Sequence, residues 1–372
     1  MKFKLKRRRL LTGAAGAAAL GAPGVARAQG PIVLRLQSSW GAKSLFHEYA
    51  LDFAKKVNDM TGGDVRIEAL PRDNVEAGTG LLEAVSKGAL DAAHGLLHHH
   101  YPRHPAFSLW AAGPAFGMDA NLLLAWHRYG GGRQLLAKLY AAIGANVVSY
   151  PYGPMPTQPL GWFQKPIRRP QDLKGLRVRA PGMAAEIYAG LGAAATPLPA
   201  REIAEALRRG TLDGAEYNNA AADRELGLPG AAKVYMLQSY HQSAEQFELL
   251  FNKTKFEALP SKMRAILENA ADAASADLAW KAIDRYSAAH AQLQADSGAR
   301  MAWTPDAVLQ RQLAAYDAAA KKLGDDALFR EVQESQRRFA QRAVRWQLDT
   351  QVSPRLAYAH YFGRKPAPRR RK

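Results

Sequence analysis

The chain has 372 residues, a net charge of +18 and no cysteine, which excludes disulfides and thiolate metal centres and suits an oxidising compartment. Thirteen of those net positive charges lie in two ends, residues 1–28 and 364–372, and the body between them carries about +5. That removes the basic stripe a nucleic-acid-binding domain needs.

The first 28 residues have the parts of an export signal: a basic front (Lys2, Lys4, Lys6, Arg7 to Arg9), an apolar middle (Leu10 to Val25) and the small-residue site Ala26-Arg27-Ala28. The middle is shorter than the ~20 residues of a membrane span and is broken by Pro23. Cleavage after Ala28 and a periplasmic destination are expected. The arginine run loosely fits the twin-arginine pattern and leaves the export route open. A mature chain of this length favours two domains.

Ile32 to Gln37 alternates like a strand, and Phe46, Ala50, Phe53, Val57 and Met60 mark one face of a helix that Gly62-Gly63 stops. Val65 to Leu70 is a second strand. Next comes EAVSKGALDAAH, Glu83 to His94, whose near copy EALRRGTLDGAE spans Glu205 to Glu216. Each copy reads as a helix ending at a glycine and feeding a short strand. The fold class expected is therefore α/β, with two related lobes, each a doubly wound sheet with flanking helices. His94 and Glu216 are expected at the facing mouths of two parallel sheets.

The loop Pro151 to Pro159 is expected to open the second lobe. There Leu176 to Ala180 reads as a strand, Met183 to Leu191 as a helix and Ala195 to Leu198 as a strand. Pro260 to Ser297 has neither glycine nor internal proline and predicts one helix of ~55 Å, long enough to span both lobes. Its apolar face is expected to include Met263, Ile266, Leu267, Ala270 and Ala274. Helices over Pro305 to Leu323 and Asp326 to Thr350 follow, and could brace the back or form a homodimer contact. These readings divide the chain into residues 1–28 (signal), 29–152 (lobe I), 153–242 (lobe II), 243–350 (return to lobe I, spanning helix and C-terminal helices) and 351–372 (basic extension).

Enzyme signatures are thin. Gly130-Gly131-Gly132 lacks the spacing of a phosphate loop and reads as a helix break. His98, His99, His100 and His104 make the best metal cluster by composition, and with it a metal-dependent periplasmic enzyme is one rival reading. A second rival is a ligand-presenting partner of a membrane sensor. Lobe II holds a more specific set: Gln158 in its loop, Arg179 at a strand end, and Glu216 and Tyr217 after the second repeat. Arg179 has the planar fork that matches a carboxylate. Glu216 and the Gln158 amide oxygen offer hard oxygens to a cation. An Arg179–Glu216 ion pair that only holds the lobe together is equally compatible with the spacing.

The segments GPMPTQPLGWFQKPI, DLKGLRVRAPGMAAEIYAGLGA, LDGAEYNNAAADRELGL, AAKVYMLQSYHQSAE and FNKTKFEALP resemble the solute-binding subunits of tripartite ATP-independent periplasmic (TRAP) transporters. The resemblance runs from about Ile32 to Thr350 and is greatest for the branch that binds 2-oxo acids, lactate and aromatic carboxylates. It implies a two-lobed periplasmic binding protein that is not an enzyme, captures a monocarboxylate by closure and hands it to membrane permease subunits. It also implies Arg179 on the substrate carboxylate, and a sodium or calcium ion held by Gln158, Glu216 and a group of Tyr217. Trp40 and Tyr101 would close over the ligand from lobe I, with Tyr217 packing against it. Where relatives carry a Tyr-Trp pair just before Tyr101, this chain has His99 and His100, and position 217, commonly Trp or Phe, is Tyr. The expected consequence is a pocket that accepts a more polar substrate tail, or one whose own acid pairs with a protonated histidine.

Overall fold

The computed structural model describes residues 30–72, 80–295 and 298–363. The expected signal segment and the basic tail from Arg364 lie outside them. Strand β1 (Ile32–Ser38) leads through Ser44, whose Oγ caps the Phe46 N–H at 3.2 Å, into helix α1 (Leu45–Thr61). Phe46, Tyr49, Ala50, Phe53 and Val57 form its buried face. Met60 is exposed, contrary to expectation, because Thr61 takes the buried position and its Oγ1 donates to the Val57 carbonyl at 2.8 Å. Gly62, left-handed at φ 62°, ends the helix. Strand β2 (Val65–Leu70), helix α2 (Leu81–Ser86) and strand β3 (Ala92–Leu96) complete βαβαβ.

Helices α3 (Ala120–Tyr129) and α4 (Gly132–Ala142) are separated by the glycine run, with Gly131 at φ 93°. Strand β4 (Val147–Met155) then runs through the segment expected to be a loop and across the expected 152/153 boundary. The prolines suggested a break. The sheet order β2-β1-β3-β10-β4 places β4 at an edge, where Pro151 and Pro154 forfeit no interior ladder bond, and a bulge in β4 at Gly153 (φ 65°), opposite Gln246 and Phe247 of β10, absorbs the irregularity.

The second sheet takes strands β5 (Gly161–Phe163), β6 (Arg177–Arg179), β7 (Ala194–Thr196), β8 (Gly214–Ala215) and β9 (Val234–Leu237), with helices α5 (Gly182–Gly190), α6 (Ala200–Arg208) and α7 (Ala220–Glu225) between them. The chain returns to the first sheet as β10 (Glu245–Asn252), passes the short helix α8 (Lys253–Glu257), and enters α9 (Ser261–Ala295). Strand β11 (Arg300–Trp303) adds an edge to the second sheet, whose order is β11-β9-β5-β8-β6-β7. Both sheets are mixed where parallel ones were expected: β10 runs antiparallel to β3 and β4, and β5 antiparallel to β8 and β9.

The two copies of the repeat are structurally equivalent. Each helix, α2 and α6, ends at a positive-φ glycine (Gly88 at 78°, Gly210 at 68°) and returns to a strand lying parallel to an earlier one, β3 beside β1 and β8 beside β6. Helix α9 joins the lobes. Leu267, Ala270, Ala271, Ala274 and Leu278 pack in the core of the first sheet, while Ala289 and Leu293 join Trp162 and Tyr235 in that of the second. Met263 and Ile266 are only partly buried, because the sheet begins to cover α9 one turn later. Helices α10 (Asp306–Lys322) and α11 (Ala327–Thr350) brace α5 and α3, and α12 (Pro354–Phe362) buries no residue. Among the described residues no helix is long and apolar enough to cross a membrane.

Candidate functional site

A cavity of about 180 Å³ lies between the lobes, at the carboxyl ends of β3, β6 and β8. Lobe I contributes Ser39, Trp40, Arg72, His98 and His99, and the facing wall contains Gln158, Arg179, Glu216 and Tyr217. Of the residues singled out from sequence, Trp40, Gln158, Arg179, Glu216 and Tyr217 therefore share one cavity.

Strand pairing sets the central pair. Parallel β6 and β8 put Arg179 beside Ala215, and the Glu216 N–H donates to the Arg179 carbonyl at 3.2 Å, so the two side chains emerge together at the sheet edge. Gly161 makes this possible. At φ 131° its missing Cβ would stand 2.5 Å from the Ala215 carbonyl oxygen. The Arg179 Nη1 donates to Glu216 Oε1 at 2.7 Å and to the Glu216 carbonyl at 3.2 Å, and Nε donates to the Leu198 carbonyl at 3.1 Å. Nη2 has no protein partner among the described residues. The ion pair contemplated from sequence is thus real, yet it commits only part of the guanidinium. Burial alone would raise the Glu216 pKa, but Arg179 and His241 outweigh it and the carboxylate is held below its usual range. Tyr217 lies against Arg179, its ring 6.0 Å from the guanidinium carbon, and burial pushes its phenol up.

Gln158 is oriented by a residue the sequence reading passed over. His241 is fully buried, its Nε2 3.3 Å from Gln158 Oε1 and 3.8 Å from Glu216 Oε2. Its tautomer follows from Ser239, whose Oγ accepts from Gln312 Nε2 at 2.8 Å and from the His241 N–H at 3.1 Å. With both lone pairs engaged, that hydroxyl donates to His241 Nδ1 at 2.5 Å, leaving the ring proton on Nε2 to face Gln158 Oε1. The Gln158 oxygen keeps a lone pair for a further partner. Together with Glu216 Oε2 it forms a pair of hard oxygen donors in one cavity, and this donor set fits a calcium or sodium ion completed by ligand oxygens. One histidine among ten gave no sequence signal; its location between Ser239 and Gln158 appears only in three dimensions.

Three expectations are corrected. His94 is not at the cleft mouth. It is fully buried beneath Trp40, with Nε2 2.8 Å from the Tyr152 hydroxyl and its ring stacked on Phe247, and burial depresses its pKa to about 3. Tyr101 does not line the cavity but packs over Gly182 at the start of α5, where a Cβ would be 3.6 Å from its ring. The preceding 3₁₀ turn brings His99 to the wall instead. That turn also undoes the histidine cluster as a metal site, because successive residues radiate about a third of a turn apart. His98 pairs with Glu245, His100 Nε2 lies 2.8 Å from Glu248 Oε2, and His104 Nε2 lies 3.3 Å from Asp326 Oδ2. Among the described residues no three His, Cys, Asp or Glu side chains are grouped to hold a metal.

Two mixed sheets joined by a long helix, with an arginine and hard oxygens in the interlobe cavity, define a solute-binding protein. Residues 36–324 match the DctP family model, bacterial extracellular solute-binding protein, family 7. The chain belongs to that family, whose members are binding proteins and not enzymes. It is 28% identical, over 86% of its length and 87% of the relative's, to a monocarboxylate 2-oxoacid-binding periplasmic protein of Nostoc. Its fold is similar to that of a TRAP periplasmic solute-binding protein of Colwellia psychrerythraea with bound calcium and pyruvate (TM-score 0.82, 26% identity, 89% of this chain and 100% of that one). A TRAP transporter solute-binding protein of Bordetella bronchiseptica, a mixed-occupancy dimer with copurified calcium and picolinate, is comparably similar (TM-score 0.81, 26% identity, 90% and 97%).

Proposed function

We propose that the protein is the periplasmic receptor of a TRAP transporter, which captures a monocarboxylate, a 2-oxo, 2-hydroxy or aromatic acid, and delivers it to membrane permease subunits. The observation that carries this reading is the uncommitted Nη2 of Arg179 in the cavity wall, next to the oxygens of Gln158 and Glu216. Arg179 receives the carboxylate through a charge-assisted hydrogen bond. A calcium or sodium ion bound there would offset part of the charge of Glu216 and of the ligand. Gln158, fixed by His241, and Glu216 contribute its protein oxygens, with Tyr217 packing on the ligand or donating a further oxygen. Trp40 covers the ligand from lobe I.

Closure moves the second sheet (β5 to β9 with its edge strand β11) against the first (β1 to β4 with β10). The Tyr101–Gly182 contact joins the lobes, and a ligand that touches both walls favours the closed form through differential affinity. The signal is removed after Ala28, and the C-terminal helices supply the contact if the receptor dimerises. Thermal unfolding of ligand-stripped mature protein with pyruvate, lactate or picolinate, each with calcium, sodium or chelator, tests this reading. A ligand at a hundred times its Kd adds about 2.7 kcal/mol. A shift that needs both acid and cation supports the proposal, and no shift with any acid contradicts it.

A further inference from the structure

The lobe I wall of the cavity contains hydrogen-bonding groups that anchoring a carboxylate does not use. Ser39 is 5% exposed, and its Oγ has no hydrogen-bond partner among the described residues. His99 makes ring contacts with Trp40 and His98, but neither of its nitrogens has a hydrogen-bond partner among the described residues. Arg72 holds its backbone against the Trp40 carbonyl at 2.9 Å, while among the described residues its guanidinium has no acidic partner. By contrast His98 and Gln242, in the same lining, are both spent on Glu245. Ser39 and His99 converge over the bare backbone of Gly95: a Cβ there would stand 3.2 Å from Ser39 Oγ and 3.7 Å from His99 Nδ1. A buried hydroxyl without a partner costs free energy, and the half-buried His99 and Arg72 on the same wall add further hydrogen-bonding capacity, so the wall calls for a partner that arrives with the ligand.

Resting on the carboxylate reading above, we infer that Ser39, His99 and Arg72 form a second subsite that selects acids with a hydroxylated tail, small sugar acids of about four carbons. Burial, then the neighbouring His98, His100 and Arg179, keep the His99 pKa well below its usual value. A neutral imidazole offers one donor and one acceptor, and a serine hydroxyl offers both as well. Hydroxyl groups are the tails that both give and take hydrogen bonds; an alkyl tail would leave the wall unpaired, and a second carboxylate would satisfy the Arg72 guanidinium but leave the acceptor nitrogen of a neutral His99 without a donor. The size agrees. A cavity of about 150 Å³ admits benzene, so 180 Å³ holds a four-carbon acid with its hydroxyls.

The test is calorimetric titration of ligand-stripped protein, with calcium present, using four-carbon acids that share the 2-hydroxy carboxylate head: 2-hydroxybutanoate, malate, and threonate with erythronate. Pyruvate is titrated in parallel. One of the trihydroxy acids is expected to bind at least tenfold more tightly than 2-hydroxybutanoate and malate. In Ser39→Ala/His99→Phe protein, shown by its unliganded unfolding midpoint to be folded, that preference over 2-hydroxybutanoate is expected to disappear. Equal or tighter binding of 2-hydroxybutanoate, tightest binding of malate, or an unchanged preference in the double variant overturns the subsite while leaving the carboxylate anchor standing. Failure of every acid, pyruvate included, overturns the carboxylate reading and this one with it.

Discussion

Arg179 and Glu216 are joined at 2.7 Å through one guanidinium nitrogen, with the other terminal nitrogen unpaired among the described residues, in the cavity wall. The pair therefore both holds the site together and leaves it open to a second anion. Arg179→Ala is expected to abolish measurable acid binding, a loss on the order of a hundredfold for a charge-assisted hydrogen bond. It also strands a buried carboxylate, costing about 3 kcal/mol of stability. Arg179→Lys keeps a charge without the fork, and should recover stability more fully than affinity. Calorimetry and denaturant unfolding on the same preparations separate the two effects.

Glu216→Gln tests the cation. It removes the ionised oxygen while preserving shape, so acid binding should weaken and lose its dependence on calcium. Titrations with and without chelator read this directly. A variant that still needs calcium would place the ion elsewhere.

Gly161→Ala should damage the site from outside the cavity. Its Cβ would press on the Ala215 carbonyl from 2.5 Å at a φ of 131°, and backbone cannot swing aside as a side chain can. A loss of about 2–4 kcal/mol is expected, with weaker acid binding because β8 and Glu216 shift together. Unfolding midpoints and titration check both.

Asp223 carries a pH signature. It is fully buried, accepts from Trp162 Nε1 at 2.8 Å and from the Asn218 N–H at 3.2 Å, and burial raises its pKa to about 7. Between the ordinary carboxyl value of 3.8 and about 7 the folded protein keeps a proton that the unfolded chain has released. Its contribution to stability therefore falls as pH rises through that window, by an amount on the order of a few kcal/mol, and is level above it. Asp223→Asn removes this dependence, so the variant should gain on the wild type between pH 5 and 8. Urea unfolding at a series of pH values gives the comparison.

Much of this was legible in the sequence because it is local. The repeated glycine after α2 and α6 marks where two helices stop, and the unbroken run after Pro260 marks α9. Arg179, Glu216 and Tyr217 were legible because each sits at the end of a strand whose pattern is plain. What escaped depends on neighbours. Pro151 and Pro154 look like loop residues until β4 is seen at a sheet edge. His241 is informative only beside Ser239 and Gln158. His94 occupies the repeat position of Glu216, but is sealed under Trp40 because lobe I packs aromatic rings where lobe II leaves space.

The most direct test of the central claim is a crystal structure of the mature protein grown with pyruvate and calcium. A carboxylate oxygen is expected within hydrogen-bond reach of Arg179 Nη2, and a calcium ion in contact with that ligand, Gln158 Oε1 and Glu216. Ligand in the cavity with no ion near Gln158 and Glu216, or ligand bound anywhere else, would contradict it.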